Sequence, residues 1–325
     1  MKKNKFSYAR YGYIFSAPFV ITFCVFTLYP VIYTAIIGFT DFAGLGRTTF
    51  NFLPNPLENF KLIINNITFQ KALANTFLLW TMNFIPQILL ALVLAAWFSG
   101  TLFKVKGQGF FKVVFYMPNI ITAATVAILF GALFGYPMGP INDLVVRFGL
   151  ADGPIQFMQQ KWVARGVLAF IQFWMWYGYT MIVLISGILG LDPTMFESAG
   201  LDGATGWQKF RFITLPNLRP ILIYTLITSL IGGLQMFDIP KLLVVQSGPD
   251  NATLTSSVFI YNQAFSGSYM YNRAAAASMI MFIIISIFSA IVFFLMRDRY
   301  AIRQRKLQKQ AEKQKNIELK AEGGV

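Results

Sequence analysis

At 325 residues the chain is long enough for one large domain or two ordinary ones. Hydrophobic residues make up 56% and charged residues only 12%, too few charges to cover a soluble surface, where about 25% is usual. A mean hydropathy of +0.58 marks a membrane protein, while one cysteine and no histidine exclude an intramolecular disulfide, a cysteine metal cluster, an HExxH zinc site and a Ser-His-Asp triad.

The first twelve residues carry Lys2, Lys3, Lys5 and Arg10 and are expected to be cytoplasmic. An apolar block at 13–39 follows. A basic start before an apolar run also fits a secretory signal, but this run exceeds an h-region and no small-residue cleavage site closes it before Asp41. An uncleaved first span is therefore expected, so residues 13–71 comprise that span and an external loop. Cys24 lies inside the span. A core at 72–296 then holds five further apolar blocks, at 72–98, 110–134, 163–189, 218–245 and 274–296. Each is long enough to cross about 30 Å of hydrocarbon at about 1.5 Å per residue. Prolines at 18, 30, 86, 118, 220 and 240 fall in or near the spans, where neighbouring helices can satisfy the freed carbonyls. The predicted fold class is all-α: a polytopic membrane protein with six transmembrane helices.

The net charge of +14 sits at the chain ends and between apolar blocks rather than on one folded face, which speaks against nucleic-acid binding. With both termini inside, 19 of the 27 basic residues are cytoplasmic, as the positive-inside rule requires of an N-in, C-in protein. The charged, Gln-rich tail at 297–325 is expected to continue the sixth helix for some turns. It is either a solvated stop-transfer tail or a contact for the headgroups of anionic membrane lipid.

The cytoplasmic connection at 191–216 is the longest between spans on that side, and its sequence predicts two short helices with a break. Asp192 suits an N-cap, with Pro193 at the first helical position. The first helix should reach about Asp202, and Gly203 can take the left-handed conformation that ends it. Thr205 can cap a second helix carrying Trp207, Phe210 and Phe212. Phe196, Ala199 and Gly200 are spaced to share one small apolar face. Such a helix either docks into another protein's groove or rests on lipid headgroups.

Glu197-Ser198-Ala199, Asp202-Gly203-Ala204 and then Phe210, Ile213, Leu215 and Pro216 closely resemble the EAA loop of binding-protein-dependent ABC importer permeases. Ser198 stands where a second Ala is usual, a small-for-small change. The resemblance implies a type I ABC importer permease fold in the cell membrane of a prokaryote, with this loop as the helix that couples to the cytoplasmic ATPase. Glu197, Ser198, Ala199, Asp202, Gly203, Ala204, Leu215 and Pro216 are then the ATPase-coupling residues. Implied partners are a second homologous permease, two ATPase subunits and an extracytoplasmic solute-binding protein. Tyr116-Met117-Pro118, Gln235-Met236-Phe237-Asp238, the run from Gly248 to Thr255, and Tyr261-Asn262-Gln263-Ala264-Phe265 resemble the carbohydrate, maltose-type branch. They imply a sugar rather than an amino acid or a metal. No GxxxxGK[ST] loop occurs in the chain, so no cofactor is expected here, and ATP and Mg belong to partner ATPase subunits. An enzyme in its own right is not expected.

Within the apolar blocks Asp238 is the clear ionisable residue, and it bonds either a sugar hydroxyl or a neighbouring helix. The fourth span carries Gln172, Trp174, Trp176, Tyr177 and Tyr179, some of which an interfacial aromatic belt should claim. By the same resemblance the substrate cavity lies between the fourth and fifth spans. Its candidates are Tyr179 and Phe237 first, then Trp176, Leu234, Asp238 and Gln172. The rival readings are an ABC permease for a non-sugar solute and a self-sufficient secondary transporter. The latter should carry more embedded acids or histidines and leaves the coupling loop unexplained.

Overall fold

The computed structural model describes residues 9–99, 106–267 and 269–296. Lys2, Lys3, Lys5, Lys104 and the charged tail at 297–325 lie outside them. Among the described residues five helices are long and apolar enough to cross a membrane: Tyr11–Ile37, Ile67–Phe98, Lys161–Leu189, Arg219–Leu243 and Tyr271–Met296. Their limits lie within five residues of those expected from hydropathy.

The third span corrects the sequence reading. It is two helices, Gln108–Ile120 and Ala123–Leu133, bent by 90°. Pro118 cannot donate to the preceding turn, and the helix ends two residues later, with Ile121 extended. Thr122 then caps the second half, its hydroxyl accepting from the Thr125 amide at 3.3 Å. The fifth span is also interrupted: the helix Arg219–Leu234 stops, and Asp238–Leu243 resumes after a break at Phe237. The two short outer halves pack on each other, with Val126, Ala127 and Phe130 of one against Ile239 and Leu243 of the other.

Two π turns share one cause. Cys24–Leu28 and Phe210–Thr214 each end two residues before a proline, Pro30 and Pro216. The widened turn lets the residue just before the proline donate to the fifth residue back, Tyr29 to Cys24 and Leu215 to Phe210, in place of the bond the proline cannot make. Leu215 and Pro216 therefore lie inside a helical path into the fifth span rather than in a linker before it.

The second and fourth spans form the core pair. Ala91 and Ala95 are small enough to bring Met181, Leu184 and Ile188 close in the inner half, the packing that membrane helices rely on in the absence of a hydrophobic drive between them. The first span, by contrast, stays almost wholly exposed.

Three span ends meet at the outer face. Lys71 of the second span and Lys161 of the fourth both pair with Asp250, beyond the fifth, the latter at 3.5 Å. Their common partner puts these ends on one side, as an alternating path with six crossings requires. Between them lies an irregular segment in which Gln246, Ser247, Gly248, Asp250 and Asn251 all have positive φ, while Ala252, Thr253, Thr255 and Ser256 are fully buried.

Arg165, a fourth-span residue that the sequence reading passed over, is only 7% exposed. Its Nε donates to the Ala252 carbonyl at 2.9 Å and its guanidinium to Asn75 Oδ1 at 2.5 Å. Asn75 in turn donates to the carbonyls of Asn251 and Leu254, and the Ser256 amide donates to Thr76 Oγ1. Buried backbone groups that no helix can satisfy thus find side-chain partners.

Candidate functional site

A cavity of about 350 Å³ opens where the broken spans meet the fourth, within the range of about 300–1,000 Å³ usual for small-molecule sites. The fourth span contributes Gln172, Met175, Trp176, Tyr179, Thr180 and Val183, a three-and-four spacing that makes one helix face. The fifth contributes Tyr224, Thr225, Thr228 and Ser229 by the same spacing, then Gln235, Phe237 and Asp238 from its break. Asn83 and Gln87 of the second span close one wall. Five of the six sequence-derived path candidates, Gln172, Trp176, Tyr179, Phe237 and Asp238, therefore share one cavity.

The sixth candidate does not join them. Leu234 is fully buried and packs with Leu230, Ala277 and Met281 in the core beside the sixth span. Trp174 and Tyr177 also turn away from the cavity: Trp174 packs edge-on against Phe130 at 5.7 Å, and Tyr177 lies against Phe173 and Phe115. A helix presents each face only every third or fourth residue, so the aromatic cluster is divided by rotation about its axis.

The cavity wall is mostly apolar, with neutral polar groups set into it and one carboxylate. Gln87 Nε2 donates to Thr180 Oγ1 at 2.7 Å, and Trp80 Nε1 donates to Ser229 Oγ at 3.2 Å. Trp80 reaches Ser229 because Gly233 has no side chain, since a β-carbon there would sit 2.1 Å from the indole. Thr225 lies at the cavity's edge but is only 5% exposed, and its hydroxyl is buried without a protein partner. Trp176 is 44% exposed and stands edge-on to Tyr179 at 5.9 Å. Phe237 backs onto Tyr261 at 5.1 Å. Aromatic faces flanked by neutral donors and acceptors suit a ligand with flat C–H faces and hydroxyl edges.

The hydroxyls of 224–229 and the pair Asn83 and Gln87 escaped the sequence reading, which took its polar candidates from the fourth span and from Asp238. Their i, i+4 spacing inside apolar helices was the available signal.

At the inner face the segment after Gly190 folds by its own local chemistry. Asp192 caps the helix Pro193–Leu201, its Oδ1 accepting from the Thr194 amide at 3.0 Å. This bond holds the Asp192 carboxyl below the usual carboxylate range. Gly203 has φ +77°. The Ala204 amide donates to the Ala199 carbonyl and the Gly203 amide to that of Gly200, the two bonds of a Schellman C-cap. Thr205 and Gln208 then form a reciprocal capping box that opens the helix leading to the fifth span.

The exposed face differs from the one expected. Phe196 and Ala199 are half-buried, and Lys209 Nζ lies over Gly200. The apolar groups left in the open are instead Leu201 at 91%, Trp207 at 63% and Phe212 at 73% exposure. Glu197, Ser198, Asp202, Gly203 and Pro216 are also exposed, with Ala204 and Leu215 half-buried. A shallow cleft lined by Ala199, Asp202, Gly203, Gln208 and Phe212 runs between the two short helices.

Comparison with known proteins agrees with this architecture. The lactose transport system permease protein LacF of Rhizobium radiobacter is 29% identical over 89% of this chain and 94% of its own length. The arabinooligosaccharides transport system permease protein AraP of Bacillus subtilis is 31% identical over 86% of each. The multiple sugar-binding transport system permease protein MsmF of Streptococcus mutans is also 31% identical, over 86% of this chain and 93% of its own. In fold, the chain resembles a subunit of a bacterial ABC transporter that imports the acidic polysaccharide alginate, with TM-score 0.71 and 24% identity, covering 88% of this chain and 94% of that one. The family model for binding-protein-dependent transport system inner membrane components matches residues 72–306, and the chain belongs to that family.

Proposed function

We propose that this chain is the membrane-spanning permease subunit of an ABC importer for a sugar or oligosaccharide. The observation that carries the reading is the cavity itself. Amides, hydroxyls and aromatic faces converge where the third and fifth spans break, and relatives are named for lactose, arabinooligosaccharide and multiple-sugar transport. The sugar would stack on Tyr179 and Phe237 and hydrogen-bond to Gln172 and Asp238. Contacts this few suit a path, because tight binding would hinder release.

The energy comes from elsewhere. Two cytoplasmic ATPase subunits, which hold the ATP and Mg, dock on the inner segment from Glu197 to Pro216, where Leu201, Trp207 and Phe212 stand ready to be covered. A second permease completes the path, and a solute-binding protein delivers sugar from outside. Closure of the ATPases pulls on the helix Pro193–Leu201 and turns the cavity outward.

Reconstitution of the chain with these partners in liposomes tests the proposal. Uptake of labelled lactose or arabinotriose should require both ATP and the binding protein. Sugar uptake by the chain alone, or an ATP-driven importer that takes amino acids and ignores sugars, would overturn it.

A further inference from the structure

We infer that the cavity selects uncharged glycans and rejects acidic ones, with Asp238 as the residue that sets this preference. The inference rests on the sugar-path reading and narrows its substrate class. Among the described residues no lysine or arginine lines the cavity, and Asp238 is its one carboxylate. The side chain is exposed and lines the cavity at the start of the short helix Asp238–Leu243.

The nearby cations are committed elsewhere. Lys241, one turn further on, donates to Asn262 Oδ1 at 2.8 Å and lies over the Tyr261 ring at 4.8 Å. That puts it behind Phe237 and away from the cavity, whose lining does not include it. Arg165 is spent on Ala252 and Asn75. Among the described residues Asp238 belongs to no ion pair.

A uronate or aldonate carboxylate entering this space would therefore meet a like charge with no compensating cation, in surroundings where water screens weakly. A hydroxyl would instead meet an acceptor at Asp238. The fold alone does not decide the matter, since the structurally similar importer handles an acidic polysaccharide. The charge that this chain contributes to the lining argues against such a substrate.

The test uses the complete permease–ATPase complex, without binding protein, in a Cys24→Ser background with Thr228→Cys as a reporter in the cavity wall. Maleimide labelling is followed against lactose, arabinotriose and raffinose. A second series uses lactobionate and digalacturonate as potassium salts at matched ionic strength. At least one neutral sugar should slow labelling, and the acidic probes should do so about tenfold less effectively or not at all. Adding Asp238→Asn should bring the acidic probes closer to the neutral ones. Equal or better protection by the acids in the Asp238 protein overturns the charge inference and leaves the sugar path standing. An unchanged preference in Asp238→Asn removes Asp238 as its cause. Protection by none of the sugars removes the sugar path and this inference with it.

Discussion

At the outer face, residues 244–256 depart from regular structure and are held by side chains reaching over from the second and fourth spans: Asn75, Thr76 and Arg165. At the inner face, residues 192–217 are held by their own caps, Asp192 to Thr194, Ala204 to Ala199, and Thr205 with Gln208. The outer segment is cross-linked to two spans and buried over residues 252–256, whereas the inner one is self-contained and exposed over most of its length. The difference shows how one chain can keep the outer ends of its spans together while leaving a pre-folded helix free to be gripped. Rigidity comes from long-range hydrogen bonds in one region, and availability comes from local ones in the other.

The strongest way to break this contrast is at Arg165. Arg165→Leu leaves the Ala252 carbonyl and Asn75 Oδ1 buried without a donor, and hydrogen bonds to a charged group contribute about 1.5–3 kcal/mol each. A loss of about 2–4 kcal/mol is expected, read as a drop of several degrees in the Tm of the purified complex and as reduced transport. An unchanged Tm would mean that the outer segment does not depend on this residue.

The inner segment should respond differently. A β-carbon at Gly203 meets nothing within 4 Å, so the cost of Gly203→Val is that of a β-branched residue at positive φ, about 1–3 kcal/mol. Confined to an exposed cap, that strain should leave membrane insertion and Tm nearly unchanged, while ATPase association or ATP-driven uptake is lost. Gly203→Ala should fall between the two. Normal transport by the Val variant at normal expression would show that the Schellman cap is dispensable for coupling.

The smallest effect concerns Asp250. The hydrogen bond from Lys71, more than the weaker one from Lys161, holds its carboxyl below the usual carboxylate range. A group with a lowered folded pKa stabilises the fold above its unfolded value near 3.9 and loses that contribution as pH falls through the folded one. Nothing should change between pH 8 and 5. Below about pH 4 the wild-type Tm should fall more steeply than that of Asp250→Asn, and only slightly so, because an exposed pair contributes little. Equal slopes would mean that the pair contributes nothing there.

The features that the sequence disclosed are those written in local chemistry. Hydropathy located the spans, and the caps at Asp192, Gly203 and Thr205 follow from residue type at fixed offsets. The features it hid depend on rotation and long-range contact. Leu234 and Gly233 are neighbours in sequence, yet one faces the core and the other bounds the cavity, a choice made by packing rather than by composition. The 90° bend falls inside a block apolar enough as a whole to read as one span, where Pro118 by itself is compatible with a straight span. Arg165 sits near the start of its helix, where a basic residue reads as an interfacial anchor, and only the fold brings Ala252 to it.

The central claim is that the space between the fourth and fifth spans carries the sugar. The most direct measurement is uptake of labelled sugar by the reconstituted importer carrying Tyr179→Ala or Phe237→Ala, alongside its ATP hydrolysis stimulated by the loaded binding protein. Uptake should fall about tenfold or more, since losing one stacked aromatic face costs on the order of 1–3 kcal/mol when the contact is desolvated, while assembly and stimulated hydrolysis persist. Normal uptake by both variants would contradict the account, because those rings would then line a space the sugar does not cross.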